Sequence, residues 1–156
     1  QPHKADRMKT YAVRRPLALA AALLWAGFVC AISFMEAWLK FRAPGITLPL
    51  GLGIGRIVFA ALNKVEWAFA MAISANFLLT GGGLTFKRHW AYGAAVALLA
   101  AQTFWLLPAL DARAELHIQG QPVPPSNPRF YYVGMEMAKV ACLFAFAFSF
   151  FKKNTI

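Results

Sequence analysis

Four long stretches of mostly apolar residues alternate with short polar connections along the chain. The apolar stretches cover residues 17–39, 51–79, 90–107 and 130–151. Helical stretches of about 18 or more apolar residues match the hydrocarbon thickness of a lipid bilayer. The pattern therefore predicts an all-α protein, an integral membrane bundle of four transmembrane helices that forms a single domain over residues 1–156. Residues 108–129 are predicted to form an outer connection in which Pro108 ends or kinks the third span, residues 109–117 form a short polar helical extension, and residues 121–129, with four prolines, form an extended loop.

The overall composition favours the membrane interpretation. Hydrophobic residues make up 60% of the chain and charged residues only 14%, which is too apolar for a soluble domain whose surface must be wetted. The formal net charge is +10, but the basic residues are spread between the spans and do not gather on one nucleic-acid-binding face. We therefore expect the lipid bilayer, and no nucleic acid, as a partner.

The distribution of Lys and Arg around the span ends predicts the orientation of the chain. Nine of these residues flank one side of the four spans and five flank the other. Cytoplasmic loops carry the excess of Lys and Arg in membrane proteins. The excess thus predicts a multi-pass protein of the bacterial inner (plasma) membrane, with both termini in the cytoplasm.

Charged residues lie within or at the ends of three of the spans. They are Glu36 and Lys40, Lys64 and Glu66, and Glu136 and Lys139. A charge within a span costs a few kcal/mol on insertion scales, so it usually faces a partner or a wet cavity. Lys40 follows Glu36 by four residues and Lys139 follows Glu136 by three, which are the helical spacings of ion pairs. These pairs act either as contacts that hold helices together or as parts of a working site.

Helical geometry predicts that several polar side chains meet in the outer half of the bundle. Arg56 and Asn63 share one stripe of the second helix, and Glu66 lies beside it. The resulting outward-facing pocket is expected to contain Glu36, Arg42, Arg56, Asn63, Glu66, Arg129, Glu136 and Lys139.

Two uses of this predicted pocket remain open. In one, the protein binds or transports a small or anionic ligand: the arginines attract the anion, while Glu66, Glu136 and Lys139 hold the pocket open or relay protons. In the other, the protein is an accessory subunit that docks onto a larger membrane complex or forms a homo-oligomer, and the charges are internal contacts.

Metal and catalytic motifs are weakly represented in the sequence. A di-iron bundle needs Glu-x-x-His pairs, and none is present. The sequence has no Ser/His/Asp set, no P-loop and no dinucleotide fingerprint. We therefore expect no metal and no cofactor, and a non-enzymatic role is favoured, with no catalytic residue assigned.

Two resemblances to known families can be drawn from the motifs. The segment SFMEAWLKFRAPGITLPLGLGIGRIVFAALNKVEW resembles small four-helix bacterial membrane proteins of a domain-of-unknown-function class, which implies the fold but no activity. Arg56, Asn63 and Glu66 form an Arg-x6-Asn-x2-Glu pattern that is similar to the MAPEG family of membrane glutathione transferases. This second resemblance implies a glutathione-dependent enzyme in which these three residues bind glutathione and Arg129, or Arg113, activates its thiol.

Overall fold

A computed structural model describes residues 11–81, 89–125 and 127–153. Four long helices make up most of this part of the chain: α1 (Pro16–Arg42), α2 (Leu48–Leu79), α3 (Trp90–Ile118) and α4 (Pro128–Phe148). By length and composition, all four could cross a membrane. The predicted set of four long apolar helices is thereby confirmed. Of the basic residues used to predict orientation, Lys4, Arg7, Lys9, Lys87 and Arg88 lie outside the described residues.

The two ends of the described chain meet in a small antiparallel sheet. Strand β1 (Tyr11–Val13) pairs with β2 (Phe151–Lys153), and the partners run from Tyr11 opposite Lys153 to Val13 opposite Phe151. Because β2 begins at Phe151, helix α4 ends at Phe148, before the predicted end of the fourth span. The sheet brings the start of α1 and the end of α4 to one end of the bundle, which we call the strand end.

The helices pack in a ring in chain order. Helix α1 packs against α2 and α4, and α3 packs against α4 and, mainly through its second half, against α2. Each helix therefore has two main neighbours, while α2 and α4 lie diagonally across the bundle.

Helix α3 includes the helical extension predicted for residues 109–117. It continues through Pro108 to Ile118 without a break after residue 107, so the connection to α4 covers residues 119–127 and not 108–129. A π-helical segment, Gln102–Leu106, ends two residues before the proline, and the Leu107 N–H donates to the Gln102 carbonyl. Pro108 thus lies in the first turn after a widened segment, where its missing N–H is tolerated.

Prolines and a distorted helix end account for the other differences in span bounds. Helix α2 begins at Leu48, with Pro49 in its first turn, and α4 begins with Pro128. Helix α1 contains a π-helical segment, Cys30–Glu36, and finishes in the 3₁₀ turn Lys40–Arg42, which carries it beyond the predicted end at residue 39.

The apolar core fills the half of the bundle next to the strand end. It combines small alanines with large aromatic and branched side chains, so the helices approach closely and leave little empty volume. Buried members from all four helices include Ala18, Ala22, Trp25, Ile73, Phe77, Tyr92, Leu99, Leu143 and Phe146. Ala18, Ala22 and Ala26 of α1 therefore pack inside the bundle. The opposite half is less completely filled, and this is where the polar side chains gather.

Candidate functional site

Lys139 is the centre of a buried cluster to which all four helices contribute. Its Nζ atom lies 2.5 Å from Glu66 Oε1 on α2 and 3.1 Å from Glu136 Oε1 on α4. It also donates a hydrogen bond to Gln102 Oε1 on α3 at 2.5 Å. Gln102 Nε2 donates to Glu136 Oε1 at 2.9 Å, and Trp25 Nε1 of α1 donates to Glu66 Oε1 at 2.9 Å. We call these five residues the ion cluster.

The ion cluster is almost completely removed from solvent. None of its five side chains belongs to a residue more than 1% exposed. An ammonium group has three N–H donors, and Lys139 has three acceptors, one each on Glu66, Glu136 and Gln102. Because desolvated charges are stable only when paired and hydrogen-bonded, this arrangement explains how a lysine is accommodated in the interior.

Two oxygen atoms at the edge of the ion cluster are less well satisfied. Glu136 Oε2 and Ser33 Oγ are buried, and neither has a hydrogen-bond partner among the described residues. The Tyr132 side chain, one helical turn before Glu136, is close to both groups without meeting hydrogen-bond geometry at these two atoms. Ser33 and Tyr132 also line the cavity described next. The ion cluster and the cavity are therefore neighbours.

A cavity of about 760 Å³ lies between the helices in the half of the bundle away from the strand end. All four helices line it, and most of its walls are apolar, with Phe34, Leu52, Phe59, Leu107 and Val133 among them. The polar groups on its walls are Ser33, Lys40, Arg56, Asn63, Lys64, Thr103, Asp111, Arg129 and Tyr132. This combination of apolar walls with a few polar groups is typical of small-molecule sites.

Arg56 joins α2 to the second half of α3 at the cavity wall. Its Nε lies 2.5 Å from Asp111 Oδ1, and its Nη2 donates to Asp111 Oδ2 at 3.1 Å. Its Nη1 forms a second ion pair with Glu115 Oε2. The two carboxylates satisfy the guanidinium in the forked geometry that arginine favours.

Lys40 reaches the cavity from the 3₁₀ turn of α1. The predicted ion pair with Glu36 is confirmed, with Nζ 3.4 Å from Glu36 Oε2. The ammonium also lies 5.4 Å from the centre of the Phe59 ring. A Cβ atom added to Gly55 would be 2.9 Å from Lys40 Nζ, so a residue without a side chain leaves space for the lysine there.

Arg129 differs from the other arginines of the cavity region. It lies on the cavity wall, and within residues 11–81, 89–125 and 127–153 it has neither an ion pair nor a side-chain hydrogen bond. Asn63, by contrast, donates to Thr103 Oγ1 at 2.8 Å, and Trp67 Nε1 donates to the same oxygen at 3.0 Å. Arg129 is thus a positive charge at the cavity without an acidic partner in the described part of the chain, as is Lys64.

The eight residues predicted for one pocket fall into three places. Arg56, Asn63 and Arg129 line the cavity, and Glu36 lies behind it through its contact with Lys40. Glu66, Glu136 and Lys139 are in the ion cluster. Arg42 is exposed and stacks on Trp38, with its guanidinium carbon 4.5 Å from the ring centre.

Several important residues were not predicted. Gln102 and Trp25 complete the ion cluster, and Asp111 and Glu115 contribute to the cavity region. Gln102 carried a usable signal, because an amide within an apolar span needs a polar partner. Trp25 had no comparable signal in the sequence, since a tryptophan in an apolar span is equally suited to apolar packing.

The three residues of the MAPEG-like pattern do not share one environment. Arg56 and Asn63 line the cavity, while Glu66 is buried against Trp25 and Lys139. The glutathione interpretation stays a prediction. In the part of the chain that the structure describes, no three His, Cys, Asp or Glu side chains are grouped so that they could hold a metal ion.

The cavity has the features needed to bind a small molecule. It offers apolar walls, hydrogen-bonding side chains and the positive charge of Arg129 beside a cluster of buried ionisable groups. No protein-family model, curated protein or solved structure matches the chain, so its function has to be argued from this geometry.

Proposed function

We propose that this chain is a small multi-pass protein of the bacterial inner membrane whose cavity binds a small amphipathic anion. The binding serves transport of the anion or its presentation to a partner subunit, without covalent chemistry. The single observation that carries the proposal is Arg129, which lies on the wall of a mostly apolar cavity of about 760 Å³ and has no partner among the described residues.

The outer surface of the bundle supports the membrane environment. Large apolar side chains point away from the helices at many positions, including Leu79 at 86% exposed, Phe104 at 78% and Ile57 at 74%. Soluble proteins rarely expose large contiguous apolar areas, whereas lipid tails are a suitable environment for them. The backbone hydrogen bonds of such helices are satisfied internally, as a span requires.

Helix lengths support a position of the cavity near one membrane surface. Helices α1, α2 and α3 have 27, 32 and 29 residues, whereas a bilayer core of about 30 Å needs about 20 residues. Their charged ends, with Arg56, Asp111 and Glu115, lie away from the strand end. With both termini in the cytoplasm, as the Lys and Arg distribution indicates, the cavity opens towards the outer side.

The chemistry of the cavity walls supports a small amphipathic anion as the ligand. Small-molecule sites typically have volumes of about 300–1,000 Å³, and this cavity lies within that range. Lys40 and Arg56 have acidic partners, whereas Lys64 and Arg129 on the cavity wall form no ion pair within the described residues. Of these two, we assign the anionic head group to Arg129, because a guanidinium can bind a carboxylate through two parallel hydrogen bonds. The apolar walls then accept the hydrocarbon part of the ligand.

The test is the thermal stability of the detergent-purified protein with decanoate, and with decanol as the uncharged probe of equal chain length. We expect decanoate to stabilise the protein, by about 2.7 kcal/mol at a hundred times its Kd, and decanol to stabilise it less. Arg129→Gln should remove the difference between the two probes. Arg42→Gln is the matched control, because Arg42 is also exposed and basic but does not line the cavity.

Other outcomes of the same experiment would contradict the proposal. Equal stabilisation by decanoate and decanol, or an equal loss in Arg42→Gln and Arg129→Gln, would show that the cavity does not recognise the anion. Stabilisation by glutathione alone that is lost in Arg56→Ala would favour the transferase alternative. No stabilisation by any of these probes would favour an accessory subunit without a ligand.

A further inference from the structure

We propose that the ion cluster is a proton-binding site, that Glu136 Oε2 is the atom that takes the proton, and that the proton exchanges with the cavity past Tyr132. The site is separate from the proposed anion site at Arg129. It needs only water in the cavity and does not depend on which ligand the cavity binds.

The ion cluster contains more acidic than basic groups. Glu66 and Glu136 provide two carboxyl groups, and Lys139 provides one ammonium. Gln102 and Trp25, the contributions of α3 and α1, are uncharged, and no other Lys or Arg among the described residues forms an ion pair with either glutamate. With both carboxyls ionised, the cluster has one uncompensated negative charge in an interior where charges are costly. One proton makes it neutral.

Glu136 Oε2 is the carboxylate oxygen best suited to take the proton. Glu66 Oε1 accepts from Trp25 and Lys139, and Glu136 Oε1 accepts from Gln102 and Lys139. Glu136 Oε2 is buried and accepts from no group in the described chain. A buried, charged oxygen without a donor is costly. Protonation of that oxygen removes the charge and gives it an O–H that can donate to a neighbouring hydroxyl.

Tyr132 and Ser33 provide a route for the proton between Glu136 and the cavity. Tyr132 lies beside Glu136 on α4, and both Tyr132 and Ser33 line the cavity. Ser33 Oγ is another buried oxygen without a hydrogen-bond partner in the described chain. It comes from the π-helical segment of α1, a distortion that occurs frequently at functional sites.

The step is a simple exchange of protons. A water molecule in the cavity gives a proton to the Tyr132 hydroxyl, which passes its own proton to Glu136 Oε2. The carboxylate becomes a carboxylic acid, the tyrosine is unchanged overall, and the water leaves as hydroxide. The reverse sequence releases the proton to the cavity.

Infrared spectroscopy of the purified full chain tests the proposal, because the carbonyl stretch of a protonated carboxylic acid is separate from the bands of carboxylates. Isotope labelling of glutamate with ¹³C separates these groups from Asp111. We expect a protonated glutamate band at neutral pH in the wild type, absent in Glu136→Gln and retained in Glu36→Gln. Glu36 is the matched control, because it also pairs with a lysine but is partly exposed.

Tyr132→Phe tests the route and leaves the ion cluster intact. The band should remain, but its shift on transfer to D₂O should be slower, by about a hundredfold if the hydroxyl carries the proton. An unchanged exchange rate would overturn the route.

Three results would overturn the proton site itself or its assignment. They are the absence of the band in the wild type across neutral pH, its survival in Glu136→Gln, and its loss in Glu66→Gln but not in Glu136→Gln. If Glu136→Gln does not fold, the wild-type band and its exchange in Tyr132→Phe still decide between the outcomes. A failure here leaves the decanoate result unaffected, so the two proposals fail separately.

Discussion

Lys139 on α4 and Glu66 on α2 form an ion pair across the diagonal of the bundle, with Nζ 2.5 Å from Oε1. These two helices are not direct neighbours in the ring of helix contacts. The ion pair therefore adds a polar link between two helices that also meet through the aromatic contacts of Phe59 with Tyr132 and of Phe77 with Phe146. The cavity begins next to this link, on the side away from the dry core.

Lys139→Met is expected to destabilise the protein strongly. The substitution leaves two buried carboxyl groups without their cation, and removing one partner of a buried ion pair costs about 3–5 kcal/mol. The free energy of unfolding in detergent measures the effect. The double variant Lys139→Met with Glu66→Gln should recover part of the loss. A double variant that is no more stable than the single one would show that the two side chains are not coupled.

Trp25→Phe should have a smaller but clear effect. The ring is fully buried, and its Nε1 donates to Glu66 Oε1, so the phenylalanine keeps most of the packing and removes the donor. A hydrogen bond to a charged group contributes about 1.5–3 kcal/mol. Trp105→Phe is the matched control, because Trp105 is 65% exposed, and its effect should remain within about 0.5 kcal/mol. Equal effects of the two substitutions would contradict the role of the indole N–H.

Glycine substitutions distinguish helix contact from helix propensity. A Cβ atom added to Gly51 would lie 2.2 Å from the Phe41 ring, whereas one added to Gly134 meets nothing within 4 Å. We expect Gly51→Ala to lower the free energy of unfolding by about 1–3 kcal/mol, because the ring must move. Gly134→Ala should raise it by up to about 1 kcal/mol, because alanine favours the helix. A stabilising Gly51→Ala would show that α1 and α2 are further apart than described.

Neutralising the acidic partners of Arg56 should strengthen anion binding. Asp111 and Glu115 both form ion pairs with the Arg56 guanidinium. The double variant Asp111→Asn with Glu115→Gln therefore leaves Arg56 as a further cation without an acidic partner at the cavity. The Kd for decanoate should fall in this double variant, and the gain should shrink at high salt, because exposed charges are screened. Glu36→Gln tests whether Lys40 behaves in the same way. An unchanged or higher Kd in the double variant would place the anion away from Arg56.

The local part of the site was predictable because it depends on helical spacing alone. The pairs Glu36–Lys40 and Glu136–Lys139 follow from residues four and three positions apart, and both are present. Contacts between helices were not predictable in this way. Arg56 was expected beside Asn63 and Glu66 on its own helix, but its partners are Asp111 and Glu115 on α3, since helix packing decides which stripes face each other.

The sequence by itself determined that the chain forms four long apolar helices and which residues on each helix share a face. These properties depend on the number of apolar residues in a row and on the 3.6-residue turn, which are local. Only the tertiary structure decided that Glu66, Gln102 and Lys139 meet in one cluster, while Arg129 lies at the cavity without a partner among the described residues. The rotation of each helix about its axis and the continuation of α3 through Pro108 determine which side chains come into contact. Both result from packing between distant segments.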